Sequence, residues 1–108
     1  MIEIKEYLTT AGRSPFADWL LALKEVTTRA RVLARLNRIR LGNFGDTKHV
    51  GEGVYELRLA FGPGYRIYYS RDGATVVLLL CAGSKQTQRR DIERAQAYWR
   101  DYVERSDD

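Results

Sequence analysis

The chain has 108 residues, 44% of them hydrophobic and 30% charged, which fits one globular domain spanning residues 1–108 and argues against global disorder. Its formal net charge is +4, built from 14 Arg and 4 Lys against 14 acidic residues. The excess suits a polyanionic partner, and the arginine fork matches phosphate oxygens in pairs, although high-GC codon usage accounts equally well for the Arg-to-Lys ratio. The single cysteine, Cys81, excludes an intramolecular disulfide and, lying in an apolar run, reads as a buried, inert thiol. One Cys and one His do not make a Cys/His metal site, so neither metal nor cofactor is expected. Nothing approaches the ~18 apolar residues of a membrane span, and the N-terminus has no apolar leader, so a soluble cytoplasmic protein with no membrane partner is expected.

Residues 2–8 alternate Ile2 and Ile4 with Glu3, Lys5 and Glu6, the pattern of a short first strand. Ser14-Pro15 places an N-cap before a proline at the first helical position, and Phe16, Leu20 and Leu23 follow at helical spacing beside Trp19. Thr27 or Thr28 is the expected cap of a second helix, with Val32, Leu36 and Ile39 as its buried stripe, Leu33 widening it, and five arginines over the remainder. Gly42-Asn43 should end that helix. Residues 44–53, FGDTKHVGEG, read as a glycine-rich loop. A hairpin follows over 53–71, then a continuous apolar strand from Ala74 to Gly83 covered on both faces, then a helix from about Gln86 to Glu104. In that helix Ile92, Ala95, Trp99, Tyr102 and Val103 share a face. The order β-α-α-β-β-β-α indicates an α+β domain: a mostly antiparallel sheet, an N-terminal helical hairpin and a C-terminal helix.

The hairpin GVYELRLAFGPGYRIYY carries one arginine on each strand. With Gly62-Pro63-Gly64 as a three-residue loop, Phe61 faces Tyr65, and Tyr55, Leu57, Leu59, Phe61, Tyr65, Ile67 and Tyr69 share the core face. Glu56, Arg58, Arg66, Tyr68 and Ser70 take the opposite face. Arg58 then lies opposite Tyr68 and diagonal to Arg66, at roughly 7–8 Å. Two like charges this close repel, and a phosphate between them would remove the repulsion. Lys85, after the buried strand, can reach the edge of this face if that strand neighbours residues 65–71. Lys48 and His49, in the glycine-rich loop, are candidates to close another side.

The segments LGNFGDTKHVGEGVYELRL, GPGYRIYY and LLLCAGSKQTQRRDIERAQAYW, together with the Ser14-Pro15 helix start, resemble the RelE/ParE superfamily of bacterial toxins. The resemblance covers nearly the whole chain and is nearest to the HigB-like addiction module killer branch, related to a phage Gp49-type family. It implies the toxin half of a type II toxin–antitoxin pair, inhibited by a cognate antitoxin, expected to be a helix-turn-helix protein. RelE-like members cut mRNA in the ribosomal A site. ParE-like members lack the nuclease residues and poison DNA gyrase. The basic residues of the RelE-like active site fall on Arg58, Arg66 and Lys85. This chain departs from the best-known members at Glu56, where they carry a basic residue. It also has Gln88 and Asp91, but no tyrosine, near the start of the last helix.

Read with this resemblance, the chain is expected to be a metal-independent endoribonuclease acting on mRNA at the ribosome. The 2′-OH would attack the adjacent phosphate, leaving a 2′,3′-cyclic phosphate and a 5′-OH. Arg58 and Arg66 are the expected clamp, because arginine does not exchange its proton near neutral pH. Lys85 is the candidate acid and Glu56, expected to point outward, the candidate base, with His49 as the fallback. Tyr68 is a candidate to stack on a base or donate its hydroxyl. Arg35 and Arg38 represent the arginine-rich helix as an RNA contact, a surface that also suits rRNA or an acidic antitoxin. A gyrase-directed toxin without catalysis, and a nucleic-acid-binding module, are the alternatives.

Overall fold

The structure, a computed structural model, describes residues 1–106. In chain order the elements are β1 (Glu3–Glu6), α1 (Pro15–Ala22), α2 (Val26–Arg40), β2 (Thr47–His49), β3 (Tyr55–Arg58), β4 (Arg66–Asp72), β5 (Val76–Gly83), a single 3-10 turn (Lys85–Thr87) and α3 (Gln88–Ser106). The strands form one sheet in the order β1-β5-β4-β3-β2, antiparallel except where β1 runs parallel to β5. This is the expected mixed α+β architecture with one strand more. Thr47–His49, expected as loop, pairs with β3 as an exposed edge strand. Three polar residues among glycines carry no apolar alternation, so only the backbone pairing reveals the strand.

Local chemistry sets the helix ends. The Ser14 hydroxyl accepts the Ala17 N–H at 3.0 Å, with Pro15 opening α1. Helix α2 starts a turn earlier than expected: Glu25, not Thr27 or Thr28, is its N-cap, and no side chain bonds there. At its other end Gly42 adopts φ +89°, and the Asn43 N–H bonds the Arg38 carbonyl at 2.9 Å. That left-handed closure requires glycine.

Two cores lie on the two faces of the sheet. Beneath α1 and α2, Phe16, Val32, Leu36 and Ile39 pack on Leu57, Leu59, Ile67, Tyr69, Val77 and Leu79. Leu33 is half exposed and does not widen the stripe. Beneath α3, Ala95 with Ile92, Tyr98, Trp99 and Tyr102 covers Tyr7, Val54, Tyr68, Leu78, Leu80 and Cys81. Val103, expected on this face, lies at its exposed margin. Strand β5 therefore is buried on both sides, which is why it reads as one apolar run. Its pairing with β4 slips at Leu80: Tyr68 faces Cys81 and Tyr69 faces Leu79. The extra residue puts both Leu80 and Cys81 under α3.

The hairpin register differs from expectation by two residues. Tyr55 pairs with Tyr69, and Arg58 pairs directly with Arg66. The Leu59 N–H bonds the Tyr65 carbonyl at 3.0 Å, so the loop runs over residues 60–64. Gly62 sits at φ +65° against the Tyr65 ring, 2.5 Å from where a Cβ would stand. Phe61 leaves the pairing and turns its edge to Tyr65, with ring centroids 6.0 Å apart. A shift of two residues preserves the face of every side chain, so the expected core face is correct although the expected partners are not.

Candidate functional site

Arg58 and Arg66 face each other across β3 and β4, at about 4.5–5.5 Å between Cβ atoms for directly opposed residues. Between them stands the carboxylate of Glu56. Two residues from Arg58 on the same strand, it shares that residue's face by the period of a strand. The Arg58 Nε donates to Glu56 Oε1 at 3.2 Å, and Arg66 Nη1 lies 3.8 Å from the same oxygen. The other oxygen accepts from Gln88 Nε2 of α3 at 2.7 Å and from the Tyr68 hydroxyl at 3.3 Å. Glu56 is fully buried, so the expectation that it points outward as a free base is corrected. The anion that relieves the arginine repulsion is built into the protein.

Tyr68 is also fully buried and presents no ring to a base, contrary to expectation. Burial, and then the neighbouring Glu56 carboxylate, push its hydroxyl well above the ordinary phenol range, so it keeps its proton and serves as a donor. Both residues were expected to be open because their strand face was read without α3. That helix lies over the sheet here, and Gln88 closes the carboxylate from above.

The two arginines are not equally accessible. The Arg58 side chain is 38% exposed, whereas that of Arg66 is 13% exposed, and its Nε is buried without a hydrogen-bond partner. Lys85 is exposed. Gly83 pairs with Arg66, so β5 does neighbour β4 and delivers Lys85 to the hairpin end, where a Cβ on Gly64 would lie 3.2 Å from the Lys85 Cβ. The N–H of Ser84 at this junction donates to Thr87 Oγ1 at 3.3 Å. Lys48 pairs with Glu56 and so shares the face of the arginines, on the outer strand. His49 is on the other face, its ring 5.1 Å from that of Tyr55. The two loop residues therefore do not close the same side of the site.

A second polar network adjoins the first along β5. Asp91 is buried, accepting from Thr87 Oγ1 at 2.5 Å and from Arg94 Nη1 at 3.3 Å. Its Oδ2 lies 1.9 Å from the position a Cβ would take on Gly83, so glycine alone fits there. Beside it the Cys81 thiol is pushed up to about 12, chiefly by burial, and stays protonated and unreactive. Neither the Gln88–Glu56 bond nor the buried Asp91 was read from the sequence, although both residues stand where the family departure drew attention.

Arg35, Arg38 and Arg58 are also among the residues lining a groove of about 440 Å³ between α2 and the hairpin turn. Arg31 and Phe61 belong to this groove as well and were not singled out, although Arg31, Arg35 and Arg38 recur on one helical face. Burial, and then Arg38, lower the proton affinity of Arg35.

The Phage derived protein Gp49-like (DUF891) family model matches residues 18–100. The chain belongs to this family. The Gp49-like family is an addiction-module toxin family of the RelE/HigB-like kind, and membership implies an antitoxin as partner. The matched span holds the hairpin, the β5–α3 junction and most of α3, all the elements that build the arginine–carboxylate cluster. A protein of Haemophilus influenzae described as an uncharacterized protein is 43% identical over 95 residues, covering 88% of this chain and 90% of the relative. Among the described residues no helix is long and apolar enough to cross a membrane.

Proposed function

We propose that this Gp49-like toxin is a ribosome-dependent mRNA endonuclease. The observation that carries the reading is the opposed pair Arg58 and Arg66, with Lys85 delivered to the same hairpin end by the strand that pairs with them. Arg58 and Lys85 meet the phosphate, and Arg66 backs them from a more buried position. In the reaction the 2′-OH gives its proton to water as its oxygen bonds to phosphorus, the bond to the 5′-oxygen breaks, and that oxygen leaves with a proton from Lys85. Positive charge at the phosphate stabilises the phosphorane, and Lys85 is the donor in place for the leaving oxygen. Glu56 acts as the internal anion that aligns the two arginines.

The cluster can align a phosphate but does little to bend RNA so that the 2′-OH lies in line with the leaving oxygen. Such alignment is worth several kcal/mol of barrier, and the ribosome, gripping mRNA in its A site, supplies it in this reading. Purified protein should therefore leave naked RNA intact and cut within codons on translating ribosomes, yielding 5′-OH ends, with Arg58→Ala and Lys85→Ala both abolishing cleavage and toxicity. One observation favours a gyrase-directed toxin instead: Glu56 and Tyr68 are buried, which removes two candidate proton-transfer groups from the surface. Primer extension after brief induction separates the two. Intact transcripts together with gyrase-dependent DNA breaks would reject the nuclease.

A further inference from the structure

Strands β1 and β5 are the parallel pair of the sheet, and the chain leaves them toward opposite faces. β1 leads into α1 over one core, and β5 leads into α3 over the other. Beyond the carboxyl ends of two such strands a crevice opens that neither helix fills, the place where open sheets hold their ligands. Here β1 stops pairing at Glu6, opposite Leu79, so residues 80–83 of β5 have no strand on that edge. The resulting crevice between α1 and α3 has a volume of about 450 Å³, within the range of small-molecule sites. Its inner end is formed by Ala82 and Asp91, both buried.

The lining combines three guanidinium groups, from Arg13, Arg90 and Arg94, with the rings of Trp19 and Tyr98. Asp18 and Asp91 are its two acids, so three cations meet two anions and one positive charge is left over. The acids hold two of the arginines in place. Arg13 donates from Nε and Nη2 to Asp18 Oδ2 at 3.2 and 3.0 Å, leaving its Nη1 and Asp18 Oδ1 uncommitted. Arg94 donates to Asp91 Oδ1 and to the Tyr98 hydroxyl, each at 3.3 Å. Arg90 is different: it comes within 3.8 Å of Asp91 and makes no hydrogen bond among the described residues, so its whole fork is open to a ligand.

We infer that this crevice binds a nucleoside monophosphate, with the phosphate on Arg90 and Arg13 Nη1, the base against Trp19, and Asp18 Oδ1 accepting from a hydroxyl or amino group. The inference goes beyond the nuclease reading and does not rest on it. Arg58 and Arg66 belong to the hairpin strands, where Arg66 faces Gly83 from the β4 side of β5, whereas the crevice lies along the opposite edge. A terminal phosphate carries close to two charges at pH 7 and presents three acceptor oxygens, which suits two arginine forks better than a diester does. The closed inner end likewise admits a ligand that terminates there, not a continuing strand. Stacking on an aromatic ring supplies affinity for a base of any identity.

The full chain is titrated by calorimetry with the adenine, guanine, cytosine and uracil nucleoside 5′-monophosphates. The parent nucleosides, inorganic phosphate and an unphosphorylated dinucleotide, which has only a diester, serve as comparisons and should each bind at least ~10-fold more weakly. In proton–nitrogen correlation spectra the indole N–H of Trp19 should shift on nucleotide addition, and that of Trp99, which packs on Gly53, should not. Arg13→Gln/Arg90→Gln should weaken binding ~10–100-fold. These side chains are 70% and 69% exposed, so the fold should survive. Arg40→Gln/Arg100→Gln removes the same charge from exposed positions elsewhere and should leave the affinity unchanged. No wild-type binding of any mononucleotide at millimolar concentration, equal losses in the two double variants, or an unshifted Trp19 signal would each overturn the inference. So would nucleoside or inorganic phosphate binding as tightly as the mononucleotide, and a dinucleotide that does so would assign the crevice to an RNA strand. Binding lost in Arg58→Ala/Lys85→Ala and kept in Arg13→Gln/Arg90→Gln would place the nucleotide at the hairpin arginines and overturn it as well.

Discussion

The sheet has two buried faces of different chemistry. Under α1 and α2 the buried side chains are hydrocarbon or aromatic, from Val32 and Ile39 to Leu57 and Ile67. Under α3 the sheet buries Glu56, Ser70 and Asp91 beside Tyr68, Leu78 and Cys81. The first face needs only shape and area, with about 1.5–3 kcal/mol from each fully buried aliphatic side chain. The second must also partner the polar groups it removes from water: Gln88 and Tyr68 serve Glu56, and Thr87 and Arg94 serve Asp91, while Arg66 Nε is left without a partner. The charged cluster thus occupies the face whose cover is an amphipathic helix with polar groups at its start, and Arg58, the more exposed of its two arginines, emerges where that cover stops.

The largest effect should come from the hydrocarbon face. Leu57→Ala opens a cavity beneath α2 and should cost roughly 2–5 kcal/mol in chemical denaturation. A loss under 1 kcal/mol would mean that this face is loosely packed and the contrast is overdrawn.

Glu56→Gln is the intermediate case. The amide keeps the shape but leaves Arg58 and Arg66 opposed without their anion, so stability should fall by about 1–3 kcal/mol. If stability is unchanged while toxicity disappears, Glu56 takes part in chemistry and the aligning role is wrong.

Alkaline titration should give the smallest effect. Tyr7, under α3, is raised from 10.0 to about 12, first by burial and then by its 2.6 Å hydrogen bond to Asp101. Its raised value favours the neutral phenol in the folded state, so its contribution is complete below about pH 10 and is lost as pH rises toward 12. Tyr7→Phe should flatten that part of the stability profile. An unaltered alkaline limb would place the titration elsewhere.

The element order, the Ser14-Pro15 helix start, the Gly42 closure and the doubly buried β5 were legible because each is written in local periodicity or in a residue with restricted backbone freedom. The face of every hairpin residue was legible for the same reason: strand alternation survives a two-residue slip. Local pattern also marked Arg58 and Arg66, since charged residues in an apolar hairpin stand out against it, and Lys85, which stands at the junction of an apolar strand and a helix. What it could not give was the pairing partner of each arginine, because Ala60 and Phe61 leave the ladder, Phe61 to meet Arg31 of α2, and nothing in their sequence marks that departure. Nor could it show that Glu56 and Tyr68 are buried. Their burial depends on α3, more than thirty residues further on for Glu56, returning to lie over the second face of the sheet. Alternation states which side chains share a face, and only the packing of a distant helix decides whether that face meets water.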